Sequence, residues 1–308
     1  MSPKDKILKL LTETDDVLSG ETISAQLGIS RVSVWKHIKG LITSGISISS
    51  SAKGYRLISD PDSLAAWEFG ARAGRIHYFS EVSSTMDAAR ALAREGCPEN
   101  TVVVVQRQTQ GRGRMQRTWS STDGGLYFSI VARPAIPVMI ASLVNLAAAV
   151  YMADTIRSLH RIEAILKWPN DIYAHQHKLC GILSQMEAEG DQIAYINTGI
   201  GLNVNNDPTV AEPKAISLKS LLGRSVPRRE ILEAFLDRFE KQMAQFDPQA
   251  VIARWRADNM TIGRKVRIQT INDTFEGAAV DIDPLGGLVL QLTDGRLKTV
   301  VHGDCFEQ

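Results

Sequence analysis

Two uncharged runs of β-type composition, Thr101 to Val105 and Leu126 to Ala132, limit the folds open to this chain, because such runs are typical of strands inside a sheet. Between them lies Gly111 to Trp119, a loop that carries three arginines and two glycines. Glycine lets a backbone approach a ligand closely, and guanidinium groups offer fixed donors to phosphate or carboxylate. The loop is therefore a candidate anion site, although a solvated surface loop and a short RNA-binding Arg-Gly tract fit the same residues.

The length and composition indicate a multidomain intracellular protein. The chain has 308 residues, so we expect two or three domains, and its formal net charge of +1 conceals a local excess of basic residues. The cysteines, Cys97, Cys180 and Cys305, are far apart and form no Cys-x-x-Cys pair, which favours a reducing cytosol. The N-terminus has no apolar segment typical of a secretory signal.

One uncharged stretch, Pro134 to Ala153, is long enough to raise the question of a membrane span. Two prolines, Ser142 and Asn145 interrupt it, and alanines dilute its hydrophobicity. We therefore expect a buried helix of an α/β domain and no membrane partner.

The first 60 residues have the pattern of a winged helix-turn-helix. Apolar residues predict a first helix around Ile7 to Leu11, a second over Ser19 to Leu27, and a third after an N-cap at Ser30. Alternating residues on either side of Ala52-Lys53-Gly54 predict a hairpin, the wing. In this arrangement the second helix of the pair enters the major groove of DNA.

The charge of this segment supports DNA binding. Residues 31 to 59 carry five basic residues and no Asp or Glu. The candidate DNA contacts are Arg31, Ser33, Lys36, His37 and Lys53. A helix cap at Ser33 and a protein-interaction module with a solvated basic face are the alternatives.

Four motifs occur in one order along the rest of the chain. They are Ser84-Thr85, the Gly111 to Trp119 loop, Lys167-Trp168-Pro169-Asn170-Asp171 with the following Lys178 to Leu183, and Gly199 to Asn205. This order closely resembles the biotin protein ligases (biotin-[acetyl-CoA-carboxylase] ligases) over roughly residues 76 to 308. The N-terminal segment extends the resemblance to the two-function form that also acts as a biotin operon repressor.

The resemblance implies an α+β protein of three domains: a winged helix-turn-helix over residues 1–62, a central mixed α/β ligase domain related to class II synthetases over 63–261, and an SH3-like β barrel over 262–308. Asp60-Pro61-Asp62-Ser63 fits the first linker. Turn signals at a spacing of about ten residues indicate short strands that form a small β barrel from 264 to 306. Only the resemblance makes that small barrel SH3-like.

The resemblance also implies a two-step reaction with biotin as substrate, ATP and magnesium as co-substrates, and no permanently bound cofactor. The partners would be a biotin carboxyl carrier domain, operator DNA and a second copy of the chain, since repressors of this kind read paired half-sites. Carboxylate and triphosphate repel one another, so positive groups must bring them together.

Site residues follow from the motifs by the same resemblance. Biotin-binding candidates are Ser84, Thr85, Gln108, Arg112, Gly113, Arg114, Lys178, Gly181, Gly199 and Gly201, the glycines keeping the pocket wall bare. ATP-binding candidates are Arg114, Lys167, Asn170, Lys178 and Asn203. The catalytic candidates are Arg114, Lys167 and Lys178, and Asp171 is a candidate magnesium ligand.

Several residues have plainer interpretations. We expect Trp119 to anchor the loop, Trp168 and Pro169 to pack, and the neighbouring His175 and His177 to be exposed and not to bind metal. Ser84 could simply cap the helix that begins near Met86.

Three positions depart from the family pattern. Gln116 stands where glycine is usual, Met86 where asparagine is common, and Ala215 where some bacterial repressors have an aromatic residue. A positive φ would be costly at Gln116, one polar contact near biotin would be lost at Met86, and adenine stacking at Ala215 is in doubt.

Four functions compete: a ligase that also represses transcription, a ligase whose winged domain has no operator, a ligand-sensing regulator without ligase activity, and a lipoate ligase. The intact set of cationic motif residues argues against the third, and the Lys-Trp-Pro-Asn-Asp motif with the Gly-Arg-Gly-Arg loop favours biotin over lipoate.

Overall fold

The computed structural model describes residues 3–43, 46–58 and 62–307, which fall into two compact units, Met1–Gly74 and Arg75–Gln308. The predicted linker residues Asp60 and Pro61 lie outside the described residues. Residues 262–307 belong to the second unit and are packed with the central domain.

The first unit is the predicted winged helix-turn-helix. Its elements are α1 (Pro3–Thr12), α2 (Gly20–Leu27), α3 (Arg31–Thr43), β1 (Ile48–Ser51) and β2 (Gly54–Leu57). The turn between α2 and α3 forms at Gly28, whose φ of +64° ends α2 in a left-handed conformation that suits glycine. Ser30 then caps α3, because its Oγ accepts a hydrogen bond from the Ser33 amide at 3.1 Å.

A small apolar core holds these elements together. Ile7, Leu11, Ile23, Val34 and Ile38 come from all three helices and are almost completely buried. A short 3-10 segment, Ala66–Arg75, with a kink at Phe69 and Gly70, follows the wing.

A seven-stranded mixed sheet forms the centre of the second unit. Its strands are β3 (Ile76–Val82), β4 (Thr101–Gln108), β5 (Leu126–Ala132), β6 (Ile165–Lys167), β7 (Asp171–Ala174), β8 (His177–Glu189) and β9 (Gln192–Leu202). Their order is β3-β4-β5-β9-β8-β7-β6, with β3 and β4 parallel and the other neighbours antiparallel. The two uncharged runs, Thr101 to Val105 and Leu126 to Ala132, lie in β4 and β5, and every residue of β5 is buried.

Five helices accompany this sheet: α4 (Thr85–Arg94), α5 (Ser142–His160), α6 (Leu218–Leu222), α7 (Arg228–Met243) and α8 (Pro248–Ala257). Residues 142–153 of the uncharged stretch form the first part of α5, and a short 3-10 segment, Val138–Ile140, precedes them. The segment Val138–His160 is the single described helix with the length and apolarity to cross a membrane, yet 72% of its apolar window is buried inside the protein. It packs as a core helix, as predicted.

The C-terminal segment is β-rich, but it is not the closed barrel that we expected. Its strands are β10 (Lys265–Gln269), β11 (Thr274–Ile282), β12 (Leu288–Leu292), β13 (Leu297–Val300) and β14 (Asp304–Glu307). They form an antiparallel sheet in the order β13-β12-β11-β10-β14. In the described residues no ladder joins β13 to β14, so the sheet stays open.

Candidate active site

A cavity of about 340 Å³ opens where α4, the Gly111 to Trp119 loop and the ends of β8 and β9 meet. The predicted residues that line it are Ser84, Thr85, Gln108, Arg112, Gly113, Arg114, Asn170, Asp171, Lys178, Gly181, Gly199, Gly201 and Asn203. Side chains that are separated by more than a hundred residues in sequence therefore share one wall. A cavity of this size suits a small ligand.

One end of the cavity has a fixed polar network around Gln108. Its Oε1 accepts hydrogen bonds from the Thr85 amide at 2.8 Å and the Thr85 hydroxyl at 3.1 Å, and its Nε2 donates to Ser121 Oγ at 2.8 Å. Thr85 Oγ1 in turn accepts a hydrogen bond from Ser129 at 2.9 Å. These bonds hold the Gln108 carboxamide in one orientation and leave one N–H of its Nε2 for another partner.

Ser84 lies beside this network and is not a helix cap. It stands at the N-cap position of α4, but its side chain makes no capping hydrogen bond. Its hydroxyl is buried and has no partner among the described residues, and the residue is 1% exposed. A buried hydroxyl without a partner costs free energy, so its place on a cavity wall points to a ligand.

The arginine loop is folded against acidic side chains. Arg112 donates to Asp87 Oδ2 at 2.6 Å, and Arg117 forms an ion pair with Asp304 of β14. The Gly113 amide donates to the carbonyl of Arg117 at 2.7 Å. Gln116 has a φ of +60°, so the conformation that we expected to be costly there is the one adopted.

The glycines of the cavity wall do not leave it bare, which corrects our expectation. Gly181 and Gly201 are register partners on β8 and β9, and the Trp119 indole lies on this pair, here called the glycine floor. A Cβ at Gly201 would be 2.5 Å from Trp119 Cε2, and one at Gly181 would be 2.7 Å from Cζ3. At Gly199 the space is filled by Met86, whose Sδ would be 2.5 Å from an added Cβ. The glycines make room for protein side chains, and Trp119 is both loop anchor and cavity wall.

Charges are concentrated beside the indole. Lys178 Nζ is 2.7 Å from Asp171 Oδ2 and 5.4 Å from the centre of the Trp119 ring. Asp171 Oδ1 and Arg114 Nη1 are both buried with no hydrogen-bond partner in the described part of the chain. Burial lowers the pKa of Arg114, which marks its guanidinium as poorly solvated. The Asp171 carboxylate and the Arg114 guanidinium thus line the cavity, and each has one atom whose hydrogen bond is not made within the described residues.

Lys167 is the predicted residue that the structure does not bring to the cavity. It is the last residue of the end strand β6, and its Nζ lies 4.8 Å from the centre of the Tyr173 ring. Tyr173 is the diagonal neighbour on β7, close enough for a long side chain to reach. A role for Lys167 in catalysis therefore stays a prediction.

The two neighbouring histidines and Asp171 differ as possible metal ligands. His175 and His177 are exposed in a tight turn, as expected, and residues 3–43, 46–58 and 62–307 contain no cluster of three metal-ligating side chains. Asp171 has one carboxylate oxygen free, which fits a magnesium ion that also takes phosphate oxygens and water.

Sequence reasoning missed several cavity residues. Arg117, in the arginine loop, could have been included on chemistry alone. Asp304 lies far away on β14, and nothing in its local sequence signals a role. Ala215 also lines the cavity, next to Lys178, so the cavity has a methyl group at that position.

The DNA candidates divide by exposure. Arg31, Lys36 and Lys53 are exposed, whereas Ser33 and His37 are only half-exposed. Ser33 is not the cap of α3, because Ser30 fills that role, but Ser33 Oγ lies 3.0 Å from Ser30 Oγ and is engaged in the capping turn.

Three family models match the chain. Residues 4–56 match an HTH domain, residues 78–203 match the Biotin/lipoate A/B protein ligase family, and residues 261–306 match the Biotin protein ligase C terminal domain. Fold, cavity and matches together define a biotin or lipoate ligase domain joined to a helix-turn-helix.

Relatives extend over nearly the whole chain. The bifunctional ligase/repressor BirA of Bacillus subtilis is 36% identical over 98% of this chain and 97% of its own length. BirA of Escherichia coli is 27% identical over 97% and 95%. The structure of the biotin protein ligase from Aquifex aeolicus with biotin and ATP has a TM-score of 0.65 at 26% identity, covering 76% of this chain and 98% of that one. The chain belongs to the bifunctional ligase/repressor family.

Proposed function

We propose that the protein activates biotin with ATP, transfers the biotinyl group to a lysine of a biotin carboxyl carrier domain, and represses transcription in response to biotin supply. The observation that carries the enzymatic part is the cavity with its buried, unpartnered polar groups: Ser84 Oγ, Arg114 Nη1, Trp119 Nε1 and Asp171 Oδ1. Such groups persist where a ligand supplies the missing hydrogen bonds.

Biotin binds at the end of the cavity around Gln108. A ureido group has one carbonyl acceptor and two N–H donors, so a buried site must offer both kinds of partner. Ser84 Oγ and the remaining N–H of Gln108 Nε2 donate to the carbonyl, and Thr85 Oγ1 has an acceptor position left for a ureido N–H. Among the other predicted biotin residues, Arg112 and Gly113 support the loop, Gly181 and Gly201 make room for the Trp119 indole, and Gly199 makes room for Met86.

In the first step a carboxylate oxygen of biotin attacks the α-phosphorus of ATP, the P–O bond to pyrophosphate breaks, and biotinyl-5′-AMP remains. Lys178 and Arg114 stabilise the charge on the carboxylate and on the α-phosphate oxygens. At about 4 Å and an effective dielectric near 20, one such contact contributes roughly 4 kcal/mol before desolvation. The side-chain carboxylate of Asp171 lies beside Lys178, and the ion pair between them must lengthen or break when Lys178 binds the phosphates.

The remaining nucleotide candidates are Asn170 and Asn203, which line the cavity beside Lys178. A magnesium ion that accompanies ATP neutralises phosphate charge, and Asp171 Oδ1 is the oxygen that would hold it. In the second step the neutral amine of the acceptor lysine attacks the acyl carbonyl carbon, AMP leaves with the bonding electrons, and the amine loses a proton as the amide forms.

The repressor part rests on the first unit. Arg31, Lys36 and Lys53 are exposed on α3 and the wing, where they contact phosphates or base edges of operator DNA. A homodimer places two such units on paired half-sites. The protein works in the cytoplasm, where its substrates and DNA are found.

The experiment is an adenylation assay. The purified full chain is incubated with ATP, magnesium and either biotin or lipoate, and the acyl adenylate and pyrophosphate are measured. We expect the adenylate with biotin and subsequent labelling of an added carrier domain. A matched pair of variants, Ser84→Ala and Ser225→Ala, should differ, with a higher KM for biotin only in Ser84→Ala, because Ser225 is exposed and does not line the cavity. Folded protein that forms neither adenylate nor labelled carrier would refute the enzymatic function.

A further inference from the structure

The exposed face of α3 is partly apolar. Successive residues of a helix are about 100° apart, so the buried Val34, Ile38 and Leu41 define one side, facing the core of the first unit. Val32 and Trp35 lie away from that side, and they are 64% and 52% exposed. They do not contribute to the core, and they are the exposed large apolar side chains of the first two turns of this helix.

The surroundings of this apolar pair are basic. Arg31, Lys36 and Lys39 are exposed on the same helix, and Lys39 Nζ lies 5.2 Å from the centre of the Trp35 ring. The sequence from 31 to 59 contains no acidic residue. Three cations and an exposed apolar pair on one helix fit a partner that is a polyanion and has an apolar group within its surface.

Duplex DNA is a polyanion of this description. Each base pair presents hydrogen-bonding groups in the major groove, and the apolar group among them is the C5-methyl of thymine. We propose that Val32 and Trp35 read thymine methyl groups in the major groove, so that the apolar pair selects sequence while the neighbouring cations hold the phosphates. This inference rests on the proposed DNA binding. It assigns sequence selection to apolar contacts, since the only side-chain hydrogen-bonding group of the pair is the indole N–H of Trp35.

The physical basis predicts a definite magnitude. Burial of one methyl-sized group is worth about a fourfold change in affinity. Replacing one contacted thymine by deoxyuridine removes only that methyl, without changing base pairing or phosphate charge. The wild-type protein should therefore bind the thymine duplex about fourfold more tightly than the deoxyuridine duplex at the contacted positions.

The test uses the full chain with biotin, ATP and magnesium. Preferred duplexes are selected from a random-sequence pool, and each thymine of one half-site is then replaced singly by deoxyuridine in a gel-shift titration. Trp35→Ala should reduce the thymine-to-uracil ratio to about one at one position, and Val32→Ala should do so at another. Val17→Ala, which shortens an apolar side chain 43% exposed in the same unit but outside α3, is the control and should leave all ratios unchanged.

The thymine-to-uracil affinity ratio distinguishes failure of this proposal from failure of the repressor function. Unchanged thymine-to-uracil ratios in both variants, with sequence-selective binding retained, would overturn the proposal and leave the repressor function intact. Absence of any selected sequence would remove the repressor function and this inference with it. Thermal unfolding of each variant checks folding, and if Trp35→Ala does not fold, Val32→Ala alone decides by the same criterion.

Discussion

Substitution of Gly201 by alanine tests whether the glycine floor positions the cavity. The new Cβ would lie 2.5 Å from two atoms of the Trp119 indole, so the ring must move by roughly 0.9 Å to restore an ordinary contact of 3.4 Å. The free direction is into the cavity, which the indole lines. Because this space is open, we expect a stability loss near the low end of the roughly 1–3 kcal/mol typical of overpacking. The effect on function should be larger, since a displacement of about 1 Å can reduce a rate about 100-fold.

The assay compares pyrophosphate release and thermal unfolding in Gly201→Ala, Gly74→Ala and the double variant Gly201→Ala/Trp119→Phe. An added Cβ at Gly74 meets no atom within 4 Å, so this control should behave like wild type. The smaller phenyl ring should restore part of the activity that Gly201→Ala loses. Full activity of Gly201→Ala with Trp119 in place, or a double variant less active than Gly201→Ala alone, would contradict this prediction.

Three further predictions concern charge. Lys178→Met keeps the apolar stem and removes the ammonium, so adenylate formation measured by pyrophosphate release should fall about 100-fold or more; unaltered turnover would mean that another cation does this work. Asp87→Asn removes the carboxylate that binds Arg112, so the loop should exchange its amide hydrogens faster and the KM for biotin should rise, with little change in melting temperature. Burial lowers the pKa of His77 and of His160 below 6.5, so their contribution to stability is present above pH 6.5 and is lost as the pH falls through the folded pKa values. Chemical denaturation from pH 7.5 to 5 should show this loss, and it should be smaller when both histidines are replaced by glutamine.

The elements with strong local patterns were predictable. The winged domain follows from helical periodicity, the Ser30 cap and a glycine turn, all of which act over a few residues. Strands β4 and β5 follow from uncharged runs. Helix α7, Arg228–Met243, was not predicted, although its buried residues repeat at helical spacing. The closed barrel was wrong because strand patterns specify the strands and do not determine whether the two end strands pair.

Most residues that line the cavity could be predicted from the motifs, but their spatial arrangement could not. Motif order selected thirteen of its lining residues, but the contacts between them are long-range. The indole on the glycine floor joins residues 119, 181 and 201, and no local rule relates these positions. Lys167 shows the opposite limit, because its motif selected it for the site while its side chain lies against the Tyr173 ring and does not line the cavity.

Trp168 has a consequence for attempts to exchange parts between relatives. Its backbone amide donates to Thr261 Oγ1 at 3.0 Å, and its indole Nε1 donates to the Gly286 carbonyl at 3.1 Å, while the ring is 2% exposed. A residue of the central motif is thus seated in the C-terminal segment, although separate family models cover the two regions. In a chimera that takes its C-terminal sheet from a distant relative, the residues that surround this indole come from the other protein and need not fit it. Recombination boundaries placed near residue 261 therefore cut through a shared core, and the productive unit of exchange is the whole of residues 75–308.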